Sequence, residues 1–150
     1  MANADSVGQF NLDSFSNGRI GVVRGTTLNT SGNAVITIPI LSGGLTNGGG
    51  VGNSGGIIVR RVTIQNGSGN VSNANVSISV TSDGANLITA NTVLTAMSTT
   101  GRYVDLNAAA PYTSNVVSGS VTQCLYVNVN AIANNANTVD ICVYGDVVSF

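Results

Sequence analysis

Polar and apolar residues alternate at every second position in several short segments, and this period limits the fold more than any other feature of the sequence. Residues 124–130 and 139–144 show it most clearly. Successive side chains of a β-strand point to opposite faces, so the pattern is typical of strands that bury one face. No segment carries an apolar stripe at the 3.6-residue spacing of a helix. The sequence therefore predicts an all-β protein.

Eight segments have the length and composition of strands, and turn residues separate them. They are Ile20–Arg24, Ala34–Ile40, Ile57–Gln65, Val71–Val80, Ala85–Leu94, Arg102–Leu106, 121–130 and 139–147. This number of short strands favours a single-domain antiparallel β-sandwich with a jelly-roll topology. Pro39 lacks a backbone N–H, so its strand is expected to lie at an edge or to end there. The last two strands are expected to form a hairpin.

The rest of the chain divides into an arm and a loop around this domain. Residues 1–19 have no steady period and are expected to form an extended N-terminal arm, with Phe10 and Phe15 as apolar contact residues. The sandwich is expected over residues 20–150, and residues 42–56, over half of them glycine, are expected to form a flexible loop. This loop contains a GxGxxG match, but the match leads into a strand, so it does not predict a dinucleotide site.

Ionisable side chains are scarce, because only 7% of the residues are charged and the chain has no Lys, Glu, His or Trp. Five scattered arginines do not supply the dense basic surface that nucleic acids require. No His or Lys is present to activate a Ser or Cys nucleophile, and two Cys without His cannot complete a zinc site. Asp83 is interpreted as a turn residue rather than a calcium ligand. The chain is therefore predicted to be neither an enzyme nor a protein that needs a metal or cofactor.

A neutral polar surface is expected instead, since Asn alone supplies 20 residues and the formal net charge is -1. Low net charge favours association with other copies or other proteins. Residues 1–20 show no secretion signal, and no apolar run approaches the ~20 residues that span a bilayer. We therefore expect synthesis in a cytoplasm and no membrane partner.

Four polar residues are candidate contacts to a partner protein or to other subunits. Arg60 and Arg61 are adjacent on a predicted strand and are expected on opposite faces, one solvated and the other paired with Asp or at an interface. Tyr126 and Tyr144 alternate with Cys and Asn, which suits sheet packing or a subunit interface. An alternative is a carbohydrate site built from the four tyrosines, Tyr103, Tyr112, Tyr126 and Tyr144.

The two cysteines, Cys124 and Cys142, fall on the same face of the predicted hairpin as cross-strand or diagonal neighbours. One interpretation is a stabilising disulfide. The other is a pair of reduced, half-buried thiols, and synthesis in a cytoplasm favours it.

From Ile58 to Phe150 the sequence resembles small proteins encoded among the head genes of tailed bacteriophages. The segments that carry the resemblance are Val59-Arg60-Arg61-Val62-Thr63-Ile64-Gln65-Asn66 with Gly67-Ser68-Gly69, Ala74-Asn75-Val76-Ser77-Ile78, Tyr103-Val104-Asp105-Leu106, Leu125-Tyr126-Val127-Asn128-Val129, and Thr138 to Asp146 with its closing Tyr144-Gly145-Asp146. Proteins of this kind look like capsid decoration, or cement, proteins. The resemblance carries no catalytic motif.

The resemblance implies a β-rich protein on the outer surface of a virion, bound to the major capsid protein as a homotrimer or homodimer, which stabilises the head. The alternative is a tail-fibre, knob or spike component that binds a host glycan or receptor. A bacterial surface or matrix protein is a third class, and it needs an export route.

Overall fold

The computed structural model describes residues 18–39, 55–109 and 124–149, and the side chains of all these residues except 55–57 and 146–149. Within these ranges the chain forms eight strands and no helix, which confirms the all-β prediction. The strands are β1 (Arg19–Thr27), β2 (Gly32–Pro39), β3 (Gly55–Gln65), β4 (Asn75–Ser79), β5 (Thr92–Val93), β6 (Tyr103–Asp105), β7 (Cys124–Ala131) and β8 (Thr138–Ser149). Phe10, Phe15 and Tyr112, with most of the predicted arm and of the Gly-rich loop, lie outside the described residues.

Two four-stranded antiparallel sheets form the sandwich. The first sheet has the order β1-β8-β3-β6, and the second sheet has the order β2-β7-β4-β5. The pairing is nested along the sequence, so that the first strand pairs with the eighth and the second with the seventh. The nested pairs are β1·β8, β2·β7, β3·β6 and β4·β5. This is a long hairpin rolled into two sheets, which is the arrangement of a jelly roll. The predicted β-sandwich with jelly-roll topology is confirmed.

The predicted hairpin of the last two strands is wrong, because β7 lies in the second sheet and β8 in the first. The connection at residues 132–137 crosses the sandwich instead of turning back within one sheet. Ala133 anchors it by donating its backbone N–H to the carbonyl of Leu28, at 2.7 Å. Sheets in a sandwich pack about 10 Å apart, a gap that six residues span easily.

The core lies between the sheets and is built from the apolar half of each alternating pattern. Ile36 and Ile38 point inward from β2, and Pro39 ends this strand at the sheet edge, both as predicted. Four further strands supply most of the other core residues: Val59, Val62 and Ile64 from β3, Val76 and Ile78 from β4, Leu125, Val127 and Val129 from β7, and Val139, Ile141 and Val143 from β8. Complete burial of one such side chain stabilises the fold by about 1.5–3 kcal/mol.

The predicted strand Ala85–Leu94 is mostly irregular, because only its residues Thr92 and Val93 form a strand. Asn86 has a positive φ of 53°, which interrupts an extended backbone. The segment still connects the two sheets, since Thr89 bridges to Ala108, just after β6. This bridge closes one open side of the sandwich.

Candidate interaction surface

All charged residues of the eight strands lie in the first sheet. The strands β2, β7, β4 and β5 of the second sheet contain none. The first sheet and its immediate flank hold all five arginines of the chain and three of its aspartates: Arg19, Arg24, Arg60, Arg61 and Arg102, with Asp105, Asp140 and Asp146. The five arginines, which are scattered along the sequence, thus all fall in one sheet and its flank. The jelly roll brings together strands that are far apart in sequence.

A β-bulge in β3 sets the position of the two adjacent arginines. It lies between Val59 and Arg61 and leaves Arg60 as the extra residue. Val59 and Val62 are both buried, while Arg60 and Arg61 between them are both exposed. The expectation that the two arginines point to opposite faces is wrong, because the bulge interrupts the alternation of the strand.

The strand opposite the bulge requires a glycine. Gly145 pairs with Val59, and a Cβ at this position would collide with the carbonyl oxygen of Ile58. The preceding residue, Tyr144, pairs with Arg61. The sequence Tyr-Gly-Asp near the end of the chain thus has a structural explanation, in which the glycine admits the bulge and the tyrosine lies beside the arginine.

Four side chains form what we call the Arg61 cluster: Arg61, Tyr103, Asp105 and Tyr144. The Nε of Arg61 donates to Asp105 Oδ1 at 2.7 Å, and its Nη2 donates to Asp105 Oδ2 at 3.4 Å and to the hydroxyl of Tyr103. The Cζ of Arg61 lies 5.7 Å from the ring centroid of Tyr103 and 5.8 Å from that of Tyr144, within cation–π range. The side chains of Arg61 and Asp105 nevertheless remain 52% and 51% exposed.

The cluster leaves part of the guanidinium unused. Nε and Nη2 of Arg61 hold Asp105 and Tyr103, whereas Nη1 donates to no residue that the structure describes. Arg19 lies opposite Tyr144 on β1, so Arg19, Tyr144 and Arg61 form one row across three strands. A shallow depression of about 430 Å³ adjoins the cluster and is lined by Arg60, Arg61, Val62, Thr89, Asp105, Leu106, Asn107 and Ala108.

Comparison with known proteins adds no assignment to this geometry: no family model, no curated protein and no solved structure matches the chain. The surface must therefore be interpreted from its own residues.

A second charged group of the first sheet is centred on Asp140, four residues before Tyr144 on β8. The Asp140 carboxylate accepts hydrogen bonds from the backbone N–H of Gly25 and from the Asn66 amide, both at 2.8 Å. Arg24 lies 3.7 Å away. Partial burial acts to raise the pKa of Asp140, but these hydrogen bonds and the charges of Arg24 and Arg19 outweigh it, so the pKa is lowered. This group connects β1, β8 and the turn after β3.

The outer face of the second sheet is neutral and closely packed. Ser77, Ser79 and Asn128 belong to the outward-facing half of the alternation, yet they are 1%, 0% and 2% exposed. The Nδ2 of Asn128 donates to Ser79 Oγ at 3.1 Å, and that of Asn130 donates to Ser77 Oγ at 3.3 Å. Amides and hydroxyls here bond to one another.

The two cysteines lie in different sheets, and both thiols are free. The expectation that they are neighbours is wrong, because it depended on the hairpin. Cys142 is buried in the first sheet and accepts a hydrogen bond from the Gln65 amide at 2.9 Å. Cys124 is half-buried in the second sheet, and its hydrogen bond with Tyr126 raises the pKa of the tyrosine hydroxyl.

The structure separates the residues of the other candidate sites. Tyr103 and Tyr144 lie in the first sheet and Tyr126 in the second, so these three do not form one platform. The Asp83 carboxylate bonds to Thr81 Oγ1 at 2.6 Å and to the N–H of Ala85 at 3.0 Å within its own turn, and the first of these bonds contributes most to lowering its pKa. Among the described residues, no three His, Cys, Asp or Glu side chains form a group that could hold a metal ion. The described part also contains no helix long and apolar enough to cross a membrane.

Proposed function

We propose that this chain is a structural protein of a bacteriophage virion, a capsid decoration protein that binds the outer surface of the major capsid lattice and stabilises the head. The observation that carries the proposal is the Arg61 cluster, in which an exposed arginine contacts two tyrosines and an aspartate on neighbouring strands. Arg and Tyr are enriched among the residues that dominate binding energy at protein interfaces. The resemblance of residues 58–150 to phage head proteins supports the identity of the partner.

The chemistry of the cluster supports binding rather than catalysis. The carboxylate of the cluster, that of Asp105, accepts a hydrogen bond from Arg61 and another from the Tyr103 hydroxyl at 3.0 Å. A carboxylate engaged in this way keeps its neighbours in position. It is less suited to proton transfer, which needs a base in contact with a substrate proton. We therefore propose a protein that is not an enzyme.

The two sheets suit different contacts in this proposal. The neutral second sheet carries no charge that packing would have to desolvate, so we assign its exposed residues, rather than the buried Ser77, Ser79 and Asn128, to contacts between copies in a homotrimer or homodimer. The first sheet then contacts the shell. Each contact is small, and many identical contacts across a lattice add through multivalency.

Quantitative mass spectrometry of purified, salt-washed virions from the phage that encodes the chain tests the proposal. We expect a copy number close to that of the major capsid protein. A few copies to some tens of copies would instead indicate a tail-fibre, knob or spike component, and a glycan array would then be the next measurement. Absence from the particles would contradict a virion role altogether.

A further inference from the structure

The unused edge of the Arg61 guanidinium points to the chemistry of the partner. Arg carries five N–H donors, and Asp105 and Tyr103 occupy those on Nε and Nη2. Nη1 keeps two donors that no described residue accepts, on a side chain that is 52% exposed. We propose that Arg61 is the anchor for an acidic segment of the major capsid protein, whose carboxylate oxygens accept hydrogen bonds from Nη1. This inference rests on the proposed function and adds the chemistry of the partner.

The cluster is ordered before any partner binds. The bidentate contact with Asp105 fixes the plane of the guanidinium, and its Cζ lies less than 6 Å from the ring centroids of both Tyr103 and Tyr144. A flexible arginine on a surface loses rotamer freedom when it enters an interface, and this loss weakens binding. Arg61 has already lost this freedom within the folded monomer. A contact to Nη1 therefore retains more of its binding energy.

The charge around the cluster favours a negative partner. Arg19 lies in register with Tyr144 on one side, and Arg60 lies next to Arg61 at the bulge on the other, and both are exposed. With Arg102, the first sheet carries five arginines against three aspartates, although the whole chain has a formal net charge of -1. Positive charge is thus concentrated on this sheet, and an acidic surface is its electrostatic complement.

An acidic protein fits this surface better than a nucleic acid does. Duplex DNA carries one phosphate per ~1.7 Å of its axis and is bound by surfaces dense in Lys and Arg. Here Arg61 is already paired with Asp105 and Arg24 with Asp140 within the chain. A few directed donors beside aromatic rings are more typical of a protein hot spot.

The test measures cosedimentation of the purified protein with expanded capsids assembled without it, over a range of salt concentrations. We expect Arg61→Gln to weaken binding about 30-fold, as loss of a hot-spot residue does. Arg24→Gln is the matched control, because it removes the same charge from the edge strand β1 of the same sheet, outside the Arg61 cluster, and we expect a change below about 3-fold. Arg61→Lys keeps the charge but loses the planar fork, so it should recover only part of the affinity.

Asp105→Asn tests the prearrangement of Arg61 separately from its free donors. The variant keeps the Nη1 donors but loses the bidentate contact that fixes the guanidinium, so we expect binding to weaken by about 2- to 10-fold, less than for Arg61→Gln. A loss equal to that of Arg61→Gln would show that the Nη1 donors contribute nothing and would contradict the inference. Thermal denaturation of every variant confirms that it is folded.

Other outcomes overturn the inference in distinguishable ways. If every variant binds as the wild type does, Arg61 is not the anchor, while the proposed function remains intact. If Arg61→Gln and Arg24→Gln weaken binding equally, the positive charge of the sheet, and not Arg61 in particular, accounts for the affinity. A wild-type protein that does not bind capsids would contradict both proposals.

Loss of binding after nuclease treatment would identify a nucleic acid as the partner. Displacement by a peptide of residues 1–17 would identify the chain's own segment as the occupant.

Discussion

The two sheets of this sandwich share one core and have equal numbers of strands, but their outer faces are built on different principles. The first sheet carries the charged residues of the strands and exposes Arg61 within a prearranged cluster. The second sheet carries none, and its hydroxyls and amides are buried against one another, with Asn128 only 2% exposed. Side chains that are buried and bonded to one another are closed to a partner, whereas an exposed group with a free donor is available to one. This comparison yields four predictions, ordered from the largest expected effect to the smallest.

Gly145→Ala should destabilise the protein most, because it disturbs the bulge at Arg60 that sets the position of Arg61. The added Cβ would collide with the backbone oxygen of Ile58, which cannot move without disturbing the pairing of β3 and β8. We expect a loss of about 3 kcal/mol in the free energy of unfolding, measured by chemical denaturation. Gly25→Ala is the control. Its φ is +60° but nothing lies within 4 Å of the new Cβ, so it should cost about 1 kcal/mol. Equal losses would show that the bulge tolerates a side chain.

Asn128→Ala should reveal how much the second sheet depends on its buried polar contacts. Its amide donates to Ser79, and without it the buried hydroxyl loses that donor. We expect the free energy of unfolding to fall by about 1–3 kcal/mol. Asn130→Ala removes a similar but exposed amide from the same strand and should cost less than about 0.5 kcal/mol. If the two variants are equally stable, the buried amide contributes no more to stability than the exposed one, and the second sheet does not depend on its buried polar contacts.

Asp140→Asn should lower the free energy of unfolding by an amount that depends on pH. An amide offers one acceptor oxygen, so the donors Gly25 N–H and Asn66 Nδ2 cannot both be satisfied as they are by the carboxylate. We expect a loss of about 1.5 kcal/mol near neutral pH. The pKa of Asp140 is lowered on folding, so the wild type's advantage is fully present above the unfolded pKa and disappears as pH falls through the folded one. Denaturation at about pH 6 and about pH 3 should show the difference shrinking. A constant difference would contradict this account.

Asp105→Asn should change stability least. The pair of Arg61 and Asp105 is half exposed, and such pairs contribute about 0–1 kcal/mol. We expect a change within about 0.5 kcal/mol in the free energy of unfolding. A loss as large as that of Asn128→Ala would mean that the cluster is part of the scaffold, and the contrast between the two faces would disappear.

Local alternation was sufficient to predict the all-β fold and the inward faces of most strands. Ile36 and Ile38 are buried as expected, and the edge position of β2 follows from the missing N–H of Pro39. These features depend only on the period of a strand and on the chemistry of single residues. They do not require knowledge of which strand pairs with which.

The errors have a common physical origin in nonlocal pairing. Adjacent strands in the sequence were expected to pair, but β7 and β8 cross between sheets, so Cys124 and Cys142 are separated. The bulge at Arg60 depends on the partner residue Gly145, which is 85 positions away by sequence number. The concentration of arginines in one sheet also follows from strand order. A glycine inside an alternating strand was the one local signal that could have indicated the bulge.

The position of β8 has a consequence for the order in which the molecule is made. β8 lies between β1 and β3, so neither of these earlier strands has this neighbour until β8 has left the ribosome. Pairing over such a sequence separation is slow, because the chain must first close a large loop. The row of Arg19, Tyr144 and Arg61 is therefore assembled only after β8 has been synthesised. A nascent chain that still lacks β8 cannot present this surface.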